Sequence, residues 1–211
     1  MRIKVCGMTR PDQIWALDEM EVPFAGFIFY PKSPRFIFKH MSAPDLKKIK
    51  PKKTSKVGVF VNTTVDDILR TVDDCGLYLV QLHGDETPRF CEQVSSYVTT
   101  IKAFRLSDND PIEWMIRPYM DAVDMFLFDT EGAGYGGTGK KFNWEVLKNK
   151  QINKPFLLSG GIMPDDVEAL KVFAQEPVAK DLFAVDINSK FEVAPGLKDL
   201  EKVRTFVEQL R

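Results

Sequence analysis

The sequence predicts an α/β fold, a single-domain (βα)8 TIM barrel running from residue 1 to residue 211. Three observations predict it. Eight short apolar runs follow one another along the chain, each trailed by an amphipathic segment, and eight β-then-α units are the count that closes such a barrel. The runs are rich in Val, Ile, Leu and Phe on both faces, as parallel strands covered by helices must be. Polar residues recur at the C-terminal ends of the runs, the face where barrels carry their chemistry.

In order, the strands are read at Ile3–Cys6, Ala25–Phe29, Lys56–Val61, Tyr78–His83, Thr100–Arg105, Met125–Thr130, Phe156–Ser159 and Leu182–Ile187. Helix starts lie between them. Thr9-Arg10-Pro11-Asp12 offers a hydroxyl cap, a proline where no N–H is needed and a first-turn carboxylate. Ser42-Ala43-Pro44-Asp45 repeats that layout, Thr64-Val65-Asp66-Asp67 resembles it, and Met163-Pro164-Asp165-Asp166 opens another helix. Apolar residues at 197, 200, 203, 206, 207 and 210 predict a last helix over Leu197–Leu210. A doubly wound open sheet would carry a glycine-rich turn after its first strand, but here that strand ends in Cys6-Gly7-Met8-Thr9. No linker or low-complexity tract divides the chain.

Composition narrows the function. The chain is 44% hydrophobic and 28% charged, with a formal net charge of -1, the profile of a soluble globular protein. That balance argues against a nucleic-acid partner or a membrane surface. The run Lys47, Lys48, Lys50, Lys52, Lys53, Lys56 lacks aromatics and falls between a helix and the next strand, on the face away from the chemistry. The first residues show no signal-peptide pattern. Three scattered cysteines, Cys6, Cys75 and Cys91, suit a reducing cytoplasm better than a disulfide framework. Neither histidine, His40 or His83, stands in a zinc-binding spacing, so no metal is expected.

The strand ends supply the candidates. Cys6 is either an inert core cysteine or a base, and Lys4, two residues earlier on the same strand face, would favour its thiolate. Asp129 ends the apolar run Met125-Phe126-Leu127-Phe128, a setting that raises a carboxyl pKa and suits a general acid; the alternative is a structural aspartate. Ser159-Gly160-Gly161 and Asn188-Ser189 close strands seven and eight, the usual phosphate loops of barrel enzymes, where glycine lets backbone N–H groups approach an anion. The glycine-dense stretch 132–139 reads as a mobile loop or a close approach to a ligand, and no P-loop lysine follows it. Arg35, between prolines 31 and 34 and the next strand, can pair with a carboxylate or lie solvated. Gln81 and His83 share the inward face of strand four with Leu79, as core or site residues.

Taken together, Lys4-Val5-Cys6-Gly7-Met8-Thr9, Ser33-Pro34-Arg35, Val80-Gln81-Leu82-His83-Gly84, Phe128-Asp129-Thr130, Gly136-Gly137-Thr138-Gly139 with Phe142 and Trp144, Leu158-Ser159-Gly160-Gly161 and Val185-Asp186-Ile187-Asn188-Ser189 resemble the phosphoribosylanthranilate isomerases. The resemblance runs from residue 4 to about Asp199. It implies a cofactor-free Amadori rearrangement of N-(5-phosphoribosyl)anthranilate in tryptophan biosynthesis, by a monomer or homodimer. Cys6 would be the general base and Asp129 the general acid. Arg35 would hold the anthranilate carboxylate, with Gln81 and His83 also at the substrate. Gly160, Gly161, Asn188 and Ser189 would hold the phosphate, and Asp186 would order that last loop. The family usually has Gly-Val-Glu after Asn-Ser, where this chain has Lys190-Phe191-Glu192. If that glycine is left-handed, Lys190 is strained, and its ammonium either faces solvent or adds charge near the phosphate. Two rivals remain. The sister isomerase of histidine biosynthesis resembles a two-halved barrel with an aspartate on strand one, where this chain has Cys6 and no half-chain repeat. A non-catalytic phosphate-binding barrel would need neither Cys6 nor Asp129 tuned.

Overall fold

The computed structural model describes residues 1–130 and 143–211. Eight parallel strands close in sequence order: β1 (Ile3–Val5), β2 (Phe24–Ile28), β3 (Ser55–Phe60), β4 (Leu79–Leu82), β5 (Thr99–Leu106), β6 (Met125–Thr130), β7 (Phe156–Leu158) and β8 (Leu182–Ile187), with β8 pairing back onto β1. The expected barrel is thus present. Its strand limits agree with the sequence reading to within two residues, and β6 and β8 have the limits expected.

A strand's side chains alternate between its two faces. The inward set, Val57, Leu79, Ile101, Ala103, Met125, Leu127, Leu157 and Ala184, packs as one cluster inside the barrel, with Phe24 and Phe183 against it. The outward set, including Val5, Phe27, Val80, Phe104, Phe126, Phe128, Phe156 and Val185, packs in the layer that the helices cover. Several inward rows therefore start apolar at the strand's beginning and reach the site at its end. Leu79–Gln81–His83, Met125–Leu127–Asp129 and Ala184–Asp186–Asn188 are three such rows.

The helices are α1 (Pro11–Glu19), α2 (Ala43–Lys48), α3 (Val65–Cys75), α4 (Pro88–Ser95), α5 (Ile112–Ile116), α6 (Val167–Phe173) and α7 (Leu200–Leu210). Ser42 and Thr64 cap α2 and α3 as expected, accepting hydrogen bonds from the N–H groups of Asp45 and Asp67. Thr9 does not cap α1. Arg10 holds that position, and the Thr9 hydroxyl donates instead to Gly196 O at 2.6 Å. Met163 opens a 3-10 turn, Pro164–Asp166, whose Asp166 carboxylate accepts from Met163 N before α6 begins. In the connection from β6 to β7 the described residues hold a 3-10 turn, Trp144–Leu147. The glycine stretch 132–139 and Phe142 lie outside the described residues.

One further expectation is corrected. Leu197 is not helical: with Lys198 it forms β10, antiparallel to β9 (Glu192–Ala194), and α7 starts at Leu200 with Asp199 as its cap. The turn between the two strands uses Pro195 and Gly196, which breaks the helical spacing. Lys56 is buried on the outer face of β3, and its Nζ donates to Leu46 O at 2.9 Å and Cys75 O at 2.7 Å, at the C-terminal ends of α2 and α3.

Candidate active site

At the C-terminal mouth of the barrel lies a pocket of about 730 Å³, its open mouth included. Cys6, Gln81, His83, Asp129, Gly160, Gly161, Asp186, Asn188 and Ser189 all line it, so nine of the ten residues singled out from the sequence meet there. Ile28, Val59, Val61 and Ile162 give it an apolar side, with Tyr30 and Lys190 also on the wall. Arg35 does not line it.

Cys6 ends β1, its N–H bonded to Ile187 O on β8 at 2.9 Å. Directly below it, Lys4 Nζ lies 2.9 Å from Asp186 Oδ1, with both side chains buried. The β1–β8 register sets Lys4 opposite Asp186. Burial disfavours the Lys4 ammonium, but Asp186 and then Cys6 more than offset it, and the Lys4 pKa is raised. Among the described residues, the hydrogen-bond partner of Asp186 is Lys4.

The expected effect of Lys4 on Cys6 is outweighed. Burial pushes the Cys6 thiol up; Lys4 and Lys198 pull it down, Asp186 adds to the rise, and the net shift is upward. A thiol removed from water loses more by ionising than two nearby cations return.

Across the pocket, Asp129 Oδ1 accepts a hydrogen bond and Oδ2 faces His83. Thr130 N donates to Oδ1 at 2.8 Å, and His83 Nε2 lies 3.2 Å from Oδ2. Gln81 Nε2 stands 2.7 Å from His83 Nδ1. With the amide as donor, Nδ1 accepts and Nε2 carries the hydrogen that faces Asp129. Polar neighbours, not the apolar strand below, surround this carboxylate. Gln81 Oε1 is buried in the wall without a partner among the described residues.

After β7, Gly160 (φ 90) and Gly161 (φ 71) are both left-handed, a backbone that side chains resist. This turn meets the 3-10 turn Ser189–Phe191 at the pocket rim. Lys190 is not strained, because the positive φ values of non-glycine described residues belong to Glu21, Asn62 and Asn153. The loop after β8 is held by Lys198, which donates to Asn188 Oδ1 at 2.8 Å and Asn188 O at 3.3 Å.

Arg35 pairs with a protein carboxylate. Its Nε donates to Glu192 Oε1 at 2.8 Å and Oε2 at 3.0 Å, and its Nη2 to Oε2 at 2.5 Å. Glu192 and Lys198 escaped the sequence reading. The Pro195-Gly196 turn between them was the available signal, since it sets two short strands face to face.

A closed eight-stranded barrel with a thiol, a carboxylate and a left-handed glycine turn on one pocket has the makings of an acid–base enzyme for a small anionic ligand. Known proteins narrow that class. The family model described as N-(5'phosphoribosyl)anthranilate (PRA) isomerase matches residues 3–209. The N-(5'-phosphoribosyl)anthranilate isomerase of Parabacteroides distasonis is 40% identical over 100% of this chain and 93% of its own. Among solved structures, the phosphoribosyl anthranilate isomerase of Thermotoga maritima superposes with a TM-score of 0.84 at 31% identity, covering 100% of this chain and 98% of that one. Another phosphoribosyl anthranilate isomerase, solved in complex with reduced 1-(o-carboxyphenylamino)-1-deoxyribulose 5-phosphate, gives 0.81 at 29% identity over 100% and 98% of the two chains. The chain belongs to the N-(5'-phosphoribosyl)anthranilate isomerase family.

Proposed function

We propose that this chain converts N-(5'-phosphoribosyl)anthranilate to 1-(o-carboxyphenylamino)-1-deoxyribulose 5-phosphate, with Cys6 as base and Asp129 as acid. The observation that carries the assignment is the single pocket with Cys6 and Asp129 on its walls and the Gly160–Gly161 and Asn188–Ser189 turns at its rim. The acid protonates the ribose ring oxygen, the bond from C1 to that oxygen breaks, and an iminium forms. The base takes the proton from C2, and the enolamine tautomerises to the ketone. The substrate is oxidised at one carbon and reduced at its neighbour, so no external electron carrier is consumed, and two positioned proton-transfer groups suffice.

The direction of the Cys6 shift bears on how this works. A protonated thiol with an ionised Asp129 and a thiolate with a protonated Asp129 hold the same number of protons. The two forms differ only in where one proton sits, so both give one bell-shaped pH profile. Lys4 and Lys198 favour the thiolate form. His83, held by Gln81, turns its Nε2 hydrogen toward Asp129.

The phosphate would lie against the N–H groups of Gly160, Gly161 and Ser189, and Lys190 on the wall would add a positive charge there. The anthranilate ring would pack on the side made by Ile28, Val59 and Val61. Arg35, which packs against Gly7 just outside the pocket lining, would read the carboxylate at the pocket's edge through the guanidinium edge that Glu192 leaves free. The three cysteines are free and buried, which fits a reducing, cytoplasmic setting.

The test is a fluorescence assay on phosphoribosylanthranilate generated in place. Anthranilate-type fluorescence should decay with wild type and stay nearly flat with Cys6→Ala or Asp129→Asn, each slowed by about a hundredfold or more. An undiminished rate for Cys6→Ala would remove the base assignment. A wild type that binds a carboxyphenylamino sugar phosphate without turnover would leave a binding barrel.

A further inference from the structure

Beside Cys6 lies a buried array of charges that the reaction scheme above does not use. The Glu192 carboxylate accepts from the Arg35 guanidinium through Nε and Nη2 and from Lys198 Nζ at 2.7 Å, and Gly196 N also donates to it at 3.1 Å. The Lys198 side chain is 0% exposed, that of Glu192 4% and that of Arg35 12%. Lys198 continues the chain to both oxygens of Asn188. Its own backbone is fixed by Gln13, which accepts from Lys198 N at 3.0 Å and donates to Lys198 O at 2.7 Å.

The array converges on Gly7, the residue after Cys6. A Cβ there would stand 2.6 Å from Arg35 Cδ and 2.7 Å from Asn188 Oδ1, so the two side chains close over this glycine, whose φ is 75. One line of contacts thus joins the arginine after β2 to the turn after β8. Burial pulls the Lys198 pKa down and Glu192 opposes that; with Lys198 protonated, the three side chains hold one positive charge in excess, because two cations share one carboxylate. The Lys4–Asp186 pair beneath Cys6 is neutral as a whole.

We propose that Glu192 and Lys198 are positioning residues for this reaction: they fix Arg35 and the Asn188 turn relative to each other and set a single surplus positive charge beside the Cys6 sulfur. The proposal rests on the isomerase reading for its substrate ends. Glu192 uses the Nε–Nη2 side of Arg35 and leaves Nη1 for a ligand carboxylate, so the protein carboxylate aims the guanidinium instead of competing for it. With Asn188 tied to the same carboxylate through Lys198, the carboxylate and phosphate ends of a substrate meet a preset spacing. The charged groups around Cys6 are Lys4 on β1, Asp186 on β8, Lys198 on β10 with Glu192 on β9, and Arg35 after β2; Asp129 and His83 lie across the pocket.

The test compares wild type with Glu192→Gln, Lys198→Met, Lys198→Arg and the Glu192→Gln/Lys198→Met double variant, their folding verified by circular dichroism. Two titrations are read: alkylation of Cys6 by iodoacetamide, followed by mass spectrometry, and the alkaline limb of kcat/KM, which follows the raised thiol. Glu192→Gln leaves two uncompensated cations, so both midpoints move to lower pH, by roughly half a unit or more. Lys198→Met removes the surplus and moves them to higher pH by a similar amount. The double variant returns close to wild type, and Lys198→Arg keeps the wild-type midpoint. Glu192→Gln also raises KM by about tenfold or more, as Arg35 loses its anchor. If Glu192→Gln does not fold, the contrast between Lys198→Met and Lys198→Arg carries the test. Shifts in one common direction, or no shift with KM unchanged, overturn the proposal. Opposed shifts in alkylation from a wild type without isomerase activity would keep the charge arrangement and remove the isomerase reading instead.

Discussion

Cys6 shows how narrowly a residue's chemistry depends on what touches it. Its sulfur is out of water, which pushes the thiol up, and only the neighbouring cations work against that. Room for the sulfur comes from Gly26 on β2. A Cβ there would lie 2.9 Å from Cys6 Sγ, 3.1 Å from Cys6 Cα and 3.2 Å from Lys4 Cε. Gly26→Ala must therefore displace either the sulfur or the lysine that faces it. The expected result is a loss of about 1–3 kcal/mol of stability from overpacking and a fall in kcat of at least about tenfold, since a base moved by a fraction of an ångström misses its proton. Denaturant melts and steady-state kinetics on one preparation check both. An unchanged kcat would mean that the sulfur has more freedom than this packing allows.

Among the elements, the outer face of β3 carries the least expected feature. Lys56 is buried between α2 and α3 and donates to a carbonyl at the end of each. A cation at two helix C-termini is well placed, because the helix dipoles leave partial negative charge there. Burial nevertheless pulls its pKa down to about 8, and the Cys75 thiol beside it is pushed up to about 11. The consequence for stability has a definite sign. From pH 8 upward the folded chain has released the Lys56 proton while the unfolded chain still binds it, so stability rises with pH until the ordinary lysine pKa is reached. Measured against Lys56→Met, wild type should gain about 1.5 kcal/mol between pH 8 and 9.5. A constant difference across that range would show that the two carbonyls keep the ammonium charged.

At the scale of the whole molecule, closure of the barrel assembles the site. β1 and β8 come from opposite ends of the chain, and their pairing sets Cys6 beside Asp186 and Asn188. A ligand that bridges turns from β7 and β8 binds the folded state alone and so stabilises it, by about 2.7 kcal/mol at a hundred times its dissociation constant. Inorganic phosphate should therefore raise the Tm of wild type in a concentration-dependent way. Ser189→Asp, which puts a like charge at the pocket rim, should abolish that rise whatever its own Tm. An equal response from both proteins would place the phosphate elsewhere.

The strand count, the capped starts of α2 and α3, and nine of the residues that meet at the barrel mouth are legible in the order of residues alone. These are local patterns: side-chain alternation, helix caps and polar residues at strand ends are written in neighbouring positions. The fates of Thr9 and Leu197 were misread because a hairpin far along the chain claims both, the first through Gly196 and the second as a strand residue. Which charges pair is settled when the chain folds. Lys4 finds Asp186 at 182 residues' separation and Arg35 finds Glu192 at 157, partners that no local pattern names. Folding also decides that the Cys6 pKa rises. Desolvation and Coulomb interactions depend on distance and burial in space, and the chain acquires both only when the barrel closes.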